Sequence, residues 1–140
     1  MTTYDDGNIF AKILRGELPS QTFYEDEVAI AIMDVMPESK GHCLVIPKAP
    51  SRNLLDAADE TLTGVMPVVA RLARAVKKAF DADGVRIAQF NETPAGQTVF
   101  HLHFHVVPIY DGVPLKRHAR GMLDQAVLAE QANRIRAALD

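Results

Sequence analysis

The stretch Asn91-Glu-Thr-Pro-Ala-Gly96-Gln97-Thr98-Val-Phe-His101-Leu-His103-Phe-His105-Val-Val107 decides how this chain is read. His101, His103 and His105 alternate with Leu102, Phe104 and Val106, in a chain holding only five histidines. Successive side chains of a strand point to opposite faces, so the spacing predicts one oily face and one row of imidazoles roughly 6 to 7 Å apart. Packing alone does not select histidine for such a row.

The row has three explanations. It is a polar strand face that happens to use histidine, a chelate in which two imidazoles at i and i+2 hold one metal ion, or a catalytic set. A neutral imidazole is a competent nucleophile toward phosphorus, and its neighbours can fix its tautomer and protonate a leaving group. The residues just upstream favour the last. Asn91 to Thr98 supply a glycine turn, amides, a hydroxyl and backbone N–H groups, which suit phosphate oxygens; a metal site would more naturally recruit Asp, Glu or Cys. Pro94 and Gly96 are also compatible with an ordinary hairpin turn.

Working outward, Asn8 is placed to cap a short helix with Ile9, Phe10, Ile13 and Leu14 on one side, ended by Gly16 and Pro19. Strands are expected at about 22–25, 28–34 and 42–46, forming an antiparallel meander. Asp59 is placed to cap a helix of about 60–80, whose apolar positions Leu62, Val65, Met66, Val69, Leu72, Ala73, Val76 and Phe80 recur at helical spacing. Pro67 predicts a kink or break near 64–67. A strand of about 85–91, the histidine strand, and a helix from about Asp124 complete the pattern. It reads as α+β, with helices on one side of an antiparallel sheet.

Composition bounds the function. The 140 residues, 48% of them hydrophobic, suit one domain with one core. A formal charge of −3 argues against sequence-independent nucleic-acid binding. The single cysteine, Cys43, permits no internal disulfide and suits a reducing compartment; it reads as a small buried hydrophobe. No apolar run is long enough to span a bilayer and the N-terminus has no secretory pattern, so a cytoplasmic location without a membrane partner is expected.

The segment from Gly96 to Val107 resembles the signature of the histidine triad (HIT) family. The likeness extends to Asn8-Ile-Phe-Ala-Lys-Ile-Leu-Arg-Gly-Glu-Leu-Pro19, to Tyr24-Glu-Asp-Glu27, and to Asp34 followed by Gly41-His-Cys-Leu-Val-Ile-Pro-Lys48, so residues 8–108 are covered. It implies the HIT fold over a single domain 1–140, with 109–140 as a variable segment. It also implies a symmetric homodimer joined at sheet edges, for which an unpaired edge gives a physical motive. The implied ligands are purine nucleotide derivatives.

By that resemblance His103 is the nucleophile at an α-phosphorus, giving a nucleotidyl-histidine that water hydrolyses to a nucleoside monophosphate. His105 holds the phosphate and helps the leaving group depart, His101 orients the site, and His42 fixes a tautomer from behind. Asn91, Gly96, Gln97 and Thr98 match phosphate-binding positions. Asp34 is expected to hold the ribose hydroxyls, and Ile9, Phe10, Ile13, Ile32 and Val35 the base; Ile9, Phe10 and Ile13 also read as core contacts of the first helix. Relatives with zinc carry a Cys-x-x-Cys pair where this chain has Asn8 and Ala11, so neither metal nor cofactor is expected. Where many relatives read Pro-Arg after the triad, this chain has Pro108-Ile109. The stretch 111–121, with Lys116, Arg117, His118 and Arg120, matches nothing assignable; it is the expected seat of substrate choice, although its basic residues read more readily as a solvated loop than as phosphate contacts. The leading function is hydrolysis of nucleoside phosphoramidates and adenylates. Dinucleoside polyphosphate hydrolysis and a non-catalytic nucleotide-binding regulatory protein are the alternatives.

Overall fold

The computed structural model describes residues 3–117 and 121–139. Asn8 caps helix α1 (Ile9–Leu14), its Oδ1 accepting the N–H of Ala11 at 2.9 Å. Strands β1 (Thr22–Glu25), β2 (Ala29–Met33) and β3 (Cys43–Pro47) follow, then helix α2 (Asp59–Phe80), strands β4 (Gly84–Ala88) and β5 (Phe104–Ile109), and helix α3 (Gln125–Ala138). They form a five-stranded sheet in the order β1-β2-β3-β5-β4, every neighbouring pair antiparallel. The first three strands are the expected meander. The chain then crosses to the far edge with β4 and returns with β5 into the space beside β3.

Every residue of β2 and β3 is buried, because both faces of the sheet are covered. Their alternation sorts two cores. Ala29, Ala31, Met33, Cys43 and Val45 meet α2 and α3, whereas Ile30, Ile32, Leu44 and Ile46 meet Phe10 of α1. The two long helices therefore share one face while α1 takes the other, which departs from the one-sided arrangement expected. Burying one large apolar side chain in such a layer stabilises by about 1.5–3 kcal/mol.

Helix α2 buries Val65, Val68, Val69, Leu72, Ala75, Val76 and Phe80; five of these were in the expected stripe, whereas Met66 of that stripe is 44% exposed and Val68 and Ala75 take the core instead. It runs unbroken through Pro67, contrary to expectation. Pro67 sits on the exposed side, where the carbonyl it leaves without an N–H donor faces water, and the buried stripe on either side holds the helix. Asp59 is its first residue rather than its cap, which still sets a carboxylate at the positive end of the helix dipole. Among the described residues no helix is long and apolar enough to cross a membrane.

Candidate active site

Parity places the chemistry. Asp34 continues the side of Ile30 and Ile32, His42 precedes Leu44 and Ile46 on the same side, and His105 pairs with Leu44 across β3 and β5. Three adjacent strands thus deliver a carboxylate and two imidazoles to the face under α1. Asp34, His42 and His103 are 4%, 0% and 8% exposed. The rings of His103 and His105 meet with centroids 5.2 Å apart.

The predicted histidine row is partly realised. His103 and His105 line one pocket, but regular pairing begins only at Phe104, because Leu102 N–H turns away to the carbonyl of Ser51 at 2.9 Å. His101 does not line the pocket. It is 1% exposed, and that burial holds its pKa below the ordinary histidine value, offset in part by the Pro47 carbonyl.

Hydrogen-bond partners assign all four tautomers. The backbone N–H of Glu38 donates to His42 Nδ1 at 3.0 Å, so neutral His42 carries its proton on Nε2. That proton lies between His105 Nδ1 at 3.0 Å and Asp34 Oδ2 at 3.4 Å. His105 Nδ1 is therefore an acceptor, and the His105 proton sits on Nε2. On the neighbouring ring, His103 Nδ1 donates to the carbonyl of His101 at 2.6 Å, leaving the lone pair on Nε2. His101 Nε2 donates to the Pro47 carbonyl at 2.7 Å, and its Nδ1 accepts from the Tyr4 hydroxyl at 2.6 Å. One imidazole thus offers a lone pair and its neighbour an N–H donor.

Asp34, His42 and His105 bring their ligand atoms within 4.8 Å of one another, a spacing compatible with a divalent cation. Their donor chemistry does not fit one. With Glu38 N–H on Nδ1, His42 would have to give up its remaining proton and bind as an imidazolate. A shared proton accounts for the cluster better. The start of α1 fits zinc no better, since Asn8 spends its oxygen on the helix cap and Ala11 offers no donor.

The pocket over His103 and His105 has a volume of about 510 Å³. Ile9, Phe10 and Ile13 of α1 form one wall, Ile32, Leu44 and Val35 another, and Asp34, Thr98, Ser20 and Gln125 are its remaining polar side chains. Phe10 meets the His103 ring edge-on at 4.8 Å; Phe10 and Ile13 also belong to the core under α1, whereas Ile9 is 48% exposed. Gln125 and Ser20 were not expected. Gln125 comes from the start of α3, where Gln21 Nε2 donates to its Oε1 at 3.2 Å, and no local sequence pattern signals that approach.

Three of the four expected phosphate-binding residues do not line the pocket; Thr98 does. Gln97 is a knot within the loop. Its Oε1 accepts from Glu92 N–H and Asn53 Nδ2 at 2.8 and 3.0 Å, and its Nε2 donates to the carbonyls of Arg52 and Val99. Its own N–H goes to Glu92 and that of Gly96 to Thr93. Asn91 Oδ1 accepts from Leu54 N–H and Gln89 Nε2. The loop is further braced by Arg52, bidentate to Glu92 at 2.8 and 2.9 Å, which holds the Glu92 carboxyl below its ordinary range. Of the unassigned stretch, Lys116 and Arg117 line a separate open depression, while His118 and Arg120 lie outside the described residues.

This geometry has relatives. Residues 15–112 match the family model described as the HIT domain. A Hit-like protein of Bartonella henselae, involved in cell-cycle regulation and crystallised with an unknown ligand, superposes with a TM-score of 0.92 at 52% identity, covering 98% of this chain and 100% of that one. A zinc-bound histidine triad family protein from Mycobacterium smegmatis superposes at 0.80 with 37% identity, covering 93% and 91%. By sequence, the adenosine 5′-monophosphoramidase HNT1 of Saccharomyces cerevisiae is 40% identical over 109 residues, 78% of this chain and 66% of that protein. The match over residues 15–112, together with an antiparallel sheet that carries paired imidazoles beside β3, makes this a HIT-domain protein. The chain belongs to the histidine triad (HIT) family, which includes hydrolases.

Proposed function

We propose that this protein hydrolyses nucleoside phosphoramidates and related adenylates at the α-phosphorus. The observation that carries this reading is the tautomer pair: a lone pair on His103 Nε2 beside a proton on His105 Nε2. His103 Nε2 attacks phosphorus, a P–N bond to the ring forms, and the bond to the leaving amine breaks as His105, which takes up a second proton in the substrate complex, passes its Nε2 proton to the amine and returns to the neutral ring. Water then attacks the nucleotidyl-histidine, releasing the nucleoside monophosphate and restoring both rings. A covalent route divides one difficult displacement into two easier ones. The likeness to a yeast adenosine 5′-monophosphoramidase supports the substrate class.

Asp34 receives the ribose hydroxyls. Its carboxylate accepts Met36 N–H at 2.9 Å, lies 3.4 Å from His42 Nε2 and lines the pocket, and a carboxylate with several acceptor sites suits a diol. The apolar walls take a purine base, and Thr98 holds a nonbridging oxygen, with Asn91, Gly96 and Gln97 shaping the loop behind it. A homodimer through β4 accompanies this reading, since β4 is a sheet edge and its Ile87 is 43% exposed.

A side-by-side rate assay on an adenosine phosphoramidate and a diadenosine polyphosphate tests the proposal, with His103→Ala as control. Faster turnover of the phosphoramidate, lost in the variant, is expected. Preference for the polyphosphate would move the protein to the other hydrolytic class, and wild-type rates in His103→Ala would remove the nucleophile assignment.

A further inference from the structure

Tyr4 and His101 are 97 residues apart in sequence, yet the tyrosine hydroxyl lies 2.6 Å from His101 Nδ1. Their rings meet edge-on, with centroids 5.7 Å apart and planes at 68°. Because His101 Nε2 donates to the Pro47 carbonyl, Nδ1 accepts and Tyr4 is the donor.

The hydroxyl is itself held. Asn8 Nδ2 donates to it at 3.1 Å and to the Asp5 carbonyl at 2.8 Å, while Asn8 Oδ1 caps α1. A second tie, from Arg15 Nη1 to the Asp6 carbonyl at 2.8 Å, fastens the turn that carries the tyrosine. One amide therefore joins three things: the N-terminal turn, the helix whose Phe10 packs on His103, and the hydroxyl that reaches His101.

His101 in turn supports His103 through its backbone. Its carbonyl accepts the His103 Nδ1 proton at 2.6 Å, the bond that leaves the His103 lone pair on Nε2. The His101 ring is held at both nitrogens, and the residue it anchors is the one whose carbonyl fixes the His103 tautomer. A buried ring nitrogen that loses its donor has reason to rotate or change tautomer.

We propose that Tyr4 is a positioning residue for the nucleophile, acting through His101: its hydroxyl locks the His101 ring, and the locked His101 carbonyl aims His103 Nε2. This rests on the reading of His103 as the nucleophile. Tyr4 touches no reacting atom, so the expected signature is a loss in the chemical step with little change in substrate binding.

The test is Tyr4→Phe, which keeps the ring and its packing and removes only the donor. Asn8→Asp is the second variant, keeping a capping oxygen while losing the amide that steadies the hydroxyl. Both are compared with wild type in steady-state hydrolysis of adenosine phosphoramidate and by nitrogen-15 NMR of the histidine rings. Tyr4→Phe is expected to lower kcat roughly tenfold with KM within about twofold, the scale of a slightly misplaced nucleophile. The His101 ring nitrogens move away from the pattern of a proton on Nε2 alone, and the His103 Nδ1 resonance follows. Unchanged kcat overturns the proposal, as does a fall in kcat with His103 resonances unmoved. Were wild type inactive on the phosphoramidate, the functional reading would fail separately, and the NMR arm would still decide whether Tyr4 positions His103.

Discussion

His42 Nε2 lies 3.0 Å from His105 Nδ1 while the opposite nitrogen of His42 accepts the backbone N–H of Glu38. A peptide group thereby sets the protonation of a pocket histidine two bonds away, without any charged residue changing state. Removing His42 leaves His105 free to place its proton on the wrong nitrogen. His42→Ala should lower kcat on an adenosine phosphoramidate roughly 100-fold, within the range of a general acid. An adenylate whose leaving group departs without protonation should lose much less. Equal losses on the two substrates would show that the relay does not serve the leaving group.

The buried position of His101 makes a prediction about pH. Its pKa is held below the ordinary value, so the unfolded chain binds more protons at this residue as pH falls through about 6.5. Stability is highest above that value and drops as the solution is acidified toward the lower, folded-state pKa. Urea midpoints measured at about pH 7.5 and about pH 5.5 should fall for wild type by more than for His101→Asn. An equal fall in both would place the acid sensitivity in another group.

Gln97 and Thr98 are neighbours with different predicted phenotypes. Gln97 is 2% exposed and ties four partners of the loop, so Gln97→Ala should cost about 1–3 kcal/mol of unfolding free energy. Thr98 lines the pocket, and Thr98→Ala should lower kcat/KM by about tenfold, one hydrogen bond's worth, at nearly unchanged stability. Chemical denaturation and steady-state kinetics on both variants separate the roles. A Gln97→Ala protein that is stable but has a raised KM would restore it to the substrate site.

How much of this was legible follows the range of the interactions. Alternation along a strand is local, and it placed His103 and His105 together on the face that also receives Asp34 and His42. The cap at Asn8 was equally local. Strand order was not, because nothing in the sequence of β5 says that it will enter between β3 and β4. The same holds for Gln125, which reaches the pocket from the far end of the chain, and for Tyr4, whose partner is an imidazole rather than a periodic neighbour. Gln97 was misplaced for a related reason. An amide in a glycine turn suits an anion and a loop knot equally, and only the positions of Arg52, Asn53 and Glu92 decide between them.

Gly41 links the fold to the relay. Its φ of +91° lies in the region that glycine alone occupies easily, and a Cβ there would stand 2.6 Å from the Phe80 ring and 3.2 Å from Pro108. Phe80 cannot yield cheaply, being 7% exposed, with Arg134 over its ring at 4.6 Å. Gly41 N–H also donates to the buried Gln131 at 3.3 Å, so α3 holds the peptide that leads directly into His42. Gly41→Ala should therefore destabilise by about 2–4 kcal/mol, backbone strain and overpacking together. The displaced peptide should also loosen the His42 ring, giving a fall in kcat larger than any rise in KM. Denaturation and kinetics on the same preparation measure both effects. A Gly41→Ala protein with lower stability and wild-type kcat would show that His42 is held by Glu38 and Asp34 without help from this turn.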